Sequence, residues 1–333
     1  MLTNVHTYFS LRYGTIKPED LLTLAEKGGI KCMALTDINN TSACMDFVRM
    51  APDFGIRPVL GIDFRNGAEQ QFVALAKNNE GFREINEFLS HHLHTGKKIP
   101  SRAPEFLNAL VLYPFHRLSQ EEASSLSPHE FIGIRPKELS RLPFSKLKQF
   151  REKMLAMPCC SFRNKRDFNA HRLLRAIDNN CLLSKLPLQE QGDPEDLFLS
   201  NQELSEVFKE HQDLLRRAEE LLLQCEVSFS FGTEQPHKNL RYFTGTEEQD
   251  FRLIKKLCHE GMAYRYPQPT EAIYSRLEKE LEIIRQKGFL SYFLINWDIT
   301  SYARSRGYFY VGRGSGANSI VAFLLRITDV DPI

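Results

Sequence analysis

Gly312-Arg313-Gly314-Ser315-Gly316, near the C-terminal end of the chain, places three glycines within five positions around an arginine. The aromatic and β-branched run before it, Tyr308-Phe309-Tyr310-Val311, predicts a strand, and the apolar residues 320–327 predict a helix. A strand that enters a helix through a glycine-rich turn leaves free backbone N–H groups and the positive end of a helix dipole at one point. Such a point binds phosphate. Arg313 and the hydroxyls of Ser315 and Ser319 would add charge-assisted hydrogen bonds. An ordinary strand–helix turn has the same spacing; the arginine inside the turn points to an anion.

Other residues able to do chemistry fall at the ends of predicted strands. Short apolar runs at 2–6, 32–36, 57–62, 72–76, 109–113, 131–134 and 154–158 read as strands. Helical patterns lie between them at 18–27, 42–50, 81–90, 145–153 and 167–178. The first helix opens on Pro18, Glu19 and Asp20 and closes on Gly28-Gly29, which suits both of its ends. This alternation predicts an α/β fold with a parallel sheet, doubly wound or closed, and about seven units favour a barrel. Ligands of such sheets lie at the carboxyl ends of the strands, where this chain carries His6, Asp37, Asp63, Cys159 and Cys160. His91-His92-Leu93-His94 ends an amphipathic helix, and adjacent histidines point apart there, so it reads as a solvated helix end.

Residues 189–224 are polar and helix-rich, and 228–237 read as a short strand plus linker, which sets a boundary near 240. Beyond it, helices are expected at 247–264, 271–287 and 292–304. The 333 residues suffice for two domains. A composition of 42% hydrophobic and 26% charged residues is that of a soluble globular protein. Net charge is only +1, so nucleic acid would have to meet local patches. Seven cysteines without a CxxC pair fit a reduced, cytoplasmic protein. Neither a signal peptide nor a membrane span is expected.

Two sets of motifs, at opposite ends of the chain, resemble one family. Residues 288–298, Gly312-Arg313-Gly314-Ser315 and residues 327–333 are similar to the start of the palm in bacterial C-family replicative DNA polymerases, the alpha subunits of DNA polymerase III. Residues 5–14, 34–40, 58–63 and 74–81 resemble the polymerase-and-histidinol-phosphatase (PHP) domain that begins those subunits. The resemblance implies a PHP-type distorted (β/α)7 barrel over 1–240. It implies the N-terminal part of a nucleotidyltransferase-like palm over 241–333. The complete subunit would carry out template-directed DNA synthesis, with primer-template DNA, deoxynucleotides, a sliding clamp and a proofreading exonuclease subunit as partners, and Mg2+ as cofactor. Gly312, Arg313, Gly314, Ser315 and Ser319 would hold the triphosphate, with Gly316 allowing close approach. Val311 replaces the family's proline and Asn318 a glycine.

The resemblance also implies that the catalytic aspartates lie beyond Ile333, so no catalytic residue is expected here and the segment alone should be inactive. Asp329 and Asp331 are read as structural. The family's PHP metal ligands are largely replaced. Asn4 stands for the first histidine of a His-x-His motif whose second member is His6, Tyr13 for an acidic residue, Ile38 for a histidine and Asp63 for a glutamate. The late Asp-x-His motif has no counterpart around Cys159. One His and one Asp cannot build a multinuclear site, so a degenerate pocket without tightly bound metal is expected. The alternatives are a metal-dependent phosphoesterase or proofreading exonuclease in the first domain, or a pure interaction module. Basic residues at 163, 165, 166, 172 and 175 are candidates for phosphate contact, as are Arg304 and Arg306.

Overall fold

Apolar, β-branched runs too short for helices become the strands of one sheet: β1 (Leu2–Val5), β2 (Cys32–Leu35), β3 (Arg57–Asn66), β4 (Glu69–Ala76), β5 (Ala109–Pro114), β6 (Glu130–Ile134), β7 (Met154–Ala156) and β8 (Cys159–Cys160). The computed structural model describes residues 1–231 and 241–333, which fall in two units, Met1–Phe231 and Gly232–Ile333. The boundary expected near 240 and most of the strand-plus-linker expected at 228–237 lie outside the described residues. Ser228 forms no strand; the Asn79 side chain brackets its backbone instead.

The strand order is β7-β6-β5-β4-β3-β2-β1-β8. The two outermost strands, β7 and β8, are separated only by Met157 and Pro158, so one extended stretch supplies both ends of the order and the sheet curls round on itself. Met157 N–H donates to Ile134 O (2.8 Å) on one side, and His6 N–H donates to Cys160 O (2.9 Å) on the other. All seven predicted strands are present, and β8 is an addition to them. The sheet is not wholly parallel: β4 runs antiparallel to both β3 and β5. Only Gly67 and Ala68 join β3 to β4, too few residues for a crossover, and Gly67 takes the positive φ of 62° that the tight turn needs. Strands β2 and β5 are buried along their whole length, because helices and loops cover the sheet.

Around the sheet lie α1 (Pro18–Lys27), α2 (Cys44–Met50), α3 (Asn79–Thr95), α4 (Gln120–Ser124), α5 (Lys165–Asp178), α6 (Asn201–Val207) and α7 (Gln212–Leu223). Helix α3 starts where Asn78 accepts from Gly81 N–H and stops at Gly96, with φ 66°. The helix expected at 145–153 is instead a 3-10 segment, Lys146–Lys153, broken at Phe150. Only Leu147 in it is buried, so no apolar stripe holds a regular helix against the core.

The second unit contains α8 (Glu247–Arg265), α9 (Glu271–Gln286), α10 (Leu290–Ser305) and α11 (Ile320–Leu324). Ile254, Cys258, Leu277, Leu281, Leu294 and Leu324 form its core. Helices α8 and α11 approach so closely that a Cβ on Gly261 would lie 2.0 Å from Leu324 O. Gly261→Ala is therefore expected to cost about 2 kcal/mol through overpacking, measured by denaturant unfolding. The strand expected at 308–311 is not formed: the segment has no regular structure and no ladder partner among the described residues, and Phe309 is 94% exposed. The helix expected over 320–327 ends early, because Arg326 turns into the left-handed region (φ 59°). No described helix is long and apolar enough to cross a membrane.

Candidate functional site

At the carboxyl ends of β1 and β3, His6 and Asp63 meet in the closed interior of the first unit, both fully buried. Asp63 Oδ2 accepts from His6 Nε2 (2.9 Å), Arg65 Nη2 (2.7 Å), Gln70 Nε2 (2.7 Å) and Asn4 Nδ2 (3.3 Å). Burial alone would push the Asp63 carboxyl up, but the Arg65 guanidinium and the His6 hydrogen bond hold it well below the carboxylate range. Arg65 also donates to the Tyr13 hydroxyl (2.9 Å), whose pKa rises to about 12, chiefly through burial. His6 Nδ1 lies 2.8 Å from Ser161 Oγ. Asn4 Oδ1 accepts from Thr36, and Ile38 contributes a backbone bridge beside Asp63.

Asp37 has a different task. Its carboxylate accepts from Thr7 N–H, the Thr7 hydroxyl and the Ser10 hydroxyl, which folds the loop after β1. His171, on α5, carried no signal in the sequence beyond being one more helical histidine. It is buried against Tyr13 and Phe162; Nδ1–H donates to Tyr13 O (2.8 Å) and Nε2 accepts from Gly192 N–H (2.7 Å).

In the second unit, Gly314 adopts φ 85°, and a Cβ on Gly312 would lie 2.9 Å from Thr328 Cβ. Both positions need glycine. Arg313, Gly314 and Ser315 are exposed, and their N–H groups have no partner among the described residues. A cavity of about 310 Å3 lies beside this loop, lined by Tyr292, Phe293, Asn296, Thr300, Arg313 and Gly316. Helix α11 is capped by Ser319 and begins at Ile320, after a 3-10 turn over Ser315–Asn318. Its first amides are occupied: Glu280 accepts from Ile320 N–H (3.1 Å), Val321 N–H (3.3 Å) and the Ser319 hydroxyl. Glu280 sits on α9 beside the apolar stripe Ile273, Leu277, Leu281 and Ile284, and this spacing was the available clue to its inward role.

Residues 3–123 match the PHP domain, and residues 252–333 match the bacterial DNA polymerase III alpha NTPase domain. The chain is similar along its length to DNA polymerase III alpha subunits. It is 28% identical to a DNA polymerase III subunit alpha of Bacillus subtilis, over 99% of this chain and 32% of that protein. Identity is 26% to the Escherichia coli K12 subunit alpha, again over 99% and 32%. An error-prone DNA polymerase of Symbiobacterium thermophilum is 28% identical over 99% of the chain and 34% of its own length. The chain thus spans about a third of the length of the curated relatives it matches.

A PHP domain raises the question of metals, and the donors at this pocket do not fit a metal cluster. His6 and Asp63 share a direct hydrogen bond there, Asp63 Oδ2 already takes four donors while Oδ1 has no partner among the described residues, and the Arg65 guanidinium supplies positive charge at the carboxylate. Among the described residues no group of three or more His, Cys, Asp or Glu side chains is arranged to hold a metal ion. Cys159 Sγ lies 3.6 Å from Asn4 Nδ2 and 3.9 Å from His6 Nδ1, and burial pushes its thiol up, away from the thiolate a metal needs. The histidine tract 91–94 sits at the end of α3, where His92 Nδ1 pairs with Lys97 O (3.1 Å).

The polymerase III alpha region holds Asp329 and Asp331 by protein contacts. Arg265 Nη2 donates to Asp329 Oδ1 (2.6 Å) and the Tyr266 hydroxyl to Asp331 Oδ1 (2.5 Å), which fastens the segment after α11 to the end of α8. Several basic candidates are also engaged. Arg163 pairs with Asp167 and Asp20, Arg175 with Asp178 and Glu190, and Arg304 donates to Tyr310 and Arg326 O. Arg313 stays outside every ion pair among the described residues.

Proposed function

We propose that this chain is the N-terminal part of a polymerase that, when complete, extends primer-template DNA from deoxynucleotides. In this reading the PHP domain spans 1–240 and acts as scaffold, and 241–333 begins the palm. Gly312, Arg313, Gly314 and Ser315 grip the triphosphate of the incoming nucleotide. The supporting observation is the loop itself: unpaired N–H groups and an exposed guanidinium converge beside a cavity in the region that matches an NTPase domain. Ser319 joins the grip only when Glu280 releases its hydroxyl.

Magnesium arriving with the nucleotide would neutralise phosphate charge and help the leaving pyrophosphate depart. The carboxylates that hold catalytic metals are supplied by other residues of the complete subunit, since Asp329 and Asp331 are tied to Arg265 and Tyr266. No primer extension by this segment alone is expected. A sliding clamp and a proofreading exonuclease subunit are the further partners of this reading, with the cytoplasm as its location. Arg313→Ala is the direct test. Nucleotide titration should show affinity falling about tenfold or more, the worth of a charge-assisted phosphate contact; unchanged affinity would overturn the assignment.

A further inference from the structure

The glycine loop of the second unit is fastened at its ends. No hydrogen bond ties residues 313–317 to another element among the described residues; Ala317 N–H to Gly314 O (3.1 Å) and Ser319 N–H to Gly316 O (3.2 Å) are bonds within the turn. A Cβ on Gly314 or Gly316 would meet nothing within 4 Å, whereas Gly312 at the first end packs against Thr328. The second end is gripped from α9. Glu280 accepts from the Ser319 hydroxyl, Ile320 N–H (3.1 Å) and Val321 N–H (3.3 Å), and Arg276, one helical turn before it, donates to Asn318 O (3.3 Å). A carboxylate on three donors and a guanidinium on a carbonyl thus fix four consecutive residues, 318–321. The Ser319 hydroxyl belongs to this anchor, since it donates to Glu280 and accepts from Ala322 N–H (3.0 Å). Ile273, Leu277, Leu281 and Ile284 bury the other face of α9 in the core, so the grip has a rigid base.

We propose that Glu280 is a positioning residue of the triphosphate loop, with Arg276 as a second strap. The inference rests on the nucleotide reading given above and deepens it. Glycine-rich backbone loses much conformational entropy when it is ordered, and a loop held in place beforehand spares the incoming ligand that loss. Glu280 does not touch the nucleotide. It sets where 318–321 begin α11, and through the short 3-10 turn it sets where the amides of 313–315 stand. Charge alone gives no reason for a carboxylate here, because it repels a triphosphate; ordering must outweigh that repulsion.

The test titrates the chain and its variants with deoxyadenosine triphosphate by calorimetry. Glu280→Ala should bind about tenfold more weakly, and Glu280→Gln, which keeps the shape and one acceptor oxygen, only about threefold. Hydrogen exchange should quicken in Glu280→Ala across 317–325, while α8 and α10 keep their native protection. Should α8 and α10 lose protection as well, Glu280→Gln is the variant to read. Charge repulsion as the main effect predicts the opposite, tighter binding in both variants. A role in stability alone predicts native affinity in the folded protein. Either result, or unchanged exchange across 317–325, would overturn the inference. Arg313→Ala, measured alongside, separates this inference from the reading beneath it. If Arg313→Ala weakens binding and Glu280→Ala does not, Glu280 has no positioning role and the nucleotide loop stands. If neither weakens binding, or the native chain does not bind, the nucleotide reading fails and this inference with it.

Discussion

Arg65→Met should lower the stability of the first unit by about 3–5 kcal/mol, the usual cost of stranding one partner of a buried ion pair. Arg65 and Asp63 are both buried, 2.7 Å apart, and no water layer is available to solvate a carboxylate left alone. Methionine keeps an apolar side chain of similar reach, so the loss reports charge more than packing. His6, Gln70 and Asn4 would still donate to Asp63, but none supplies a permanent positive charge. The Asp63 carboxyl should then rise from its depressed value. Adding Asp63→Asn to Arg65→Met removes the stranded charge, so the double variant should be less damaged than the sum of the two single variants. Denaturant midpoints of the four proteins provide the measurement, and a single-variant loss under about 1 kcal/mol would contradict the account.

That ion pair also explains how a PHP barrel can persist with so few metal ligands. The strand ends that would carry a cluster are held together by one arginine cation and three further donors around one carboxylate oxygen. Asn4, Tyr13 and Ile38, read from the sequence only as lost ligands, have structural parts in this arrangement. Asn4 and the guanidinium share Asp63, Tyr13 receives Arg65, and Ile38 bridges to the Asp63 backbone.

The strands were legible because each is a short apolar run bounded by turn residues, and the long helices because their apolar positions recur at helical spacing. Pairing direction was not legible. That β4 turns back on β3 depends on the two-residue Gly67-Ala68 link, which a strand-helix rhythm overlooks. The false strand at 308–311 shows the opposite failure. Aromatic residues satisfied β propensity, yet a strand requires a ladder partner and none is present among the described residues. At the sites, residue types marked His6, Asp63 and Arg313, while Arg65, Glu280 and His171 went unnoticed. Glu280 and His171 act through partners distant in sequence, set by the fold and not by local spacing, whereas Arg65 lies two residues from Asp63 on the same face of β3, a spacing that strand alternation offers.

His171 leads to the second large effect, a loss of stability in mild acid. Burial lowers its pKa from 6.5 to about 4, with the Tyr13 carbonyl opposing the shift. The hydrogen bonds define the neutral form: Nδ1–H donates to Tyr13 O, and Nε2 needs its lone pair to accept from Gly192 N–H. Because the folded pKa lies below the unfolded one, the native state resists a proton that the unfolded chain accepts. The contribution is complete above pH 6.5 and drains away as pH falls towards 4, by about 3 kcal/mol in all. Asp37 works in the opposite sense, since burial raises its carboxyl, and it is therefore removed by comparison with a variant that keeps it. His171→Gln can still offer one donor and one acceptor but does not titrate. Unfolding free energies measured from pH 7 to pH 4 should fall more steeply in the native chain than in His171→Gln, with the difference opening below pH 6.5. Parallel curves would mean that His171 takes up its proton without breaking the Gly192 bond, and the neutral-histidine account of this pocket would fail.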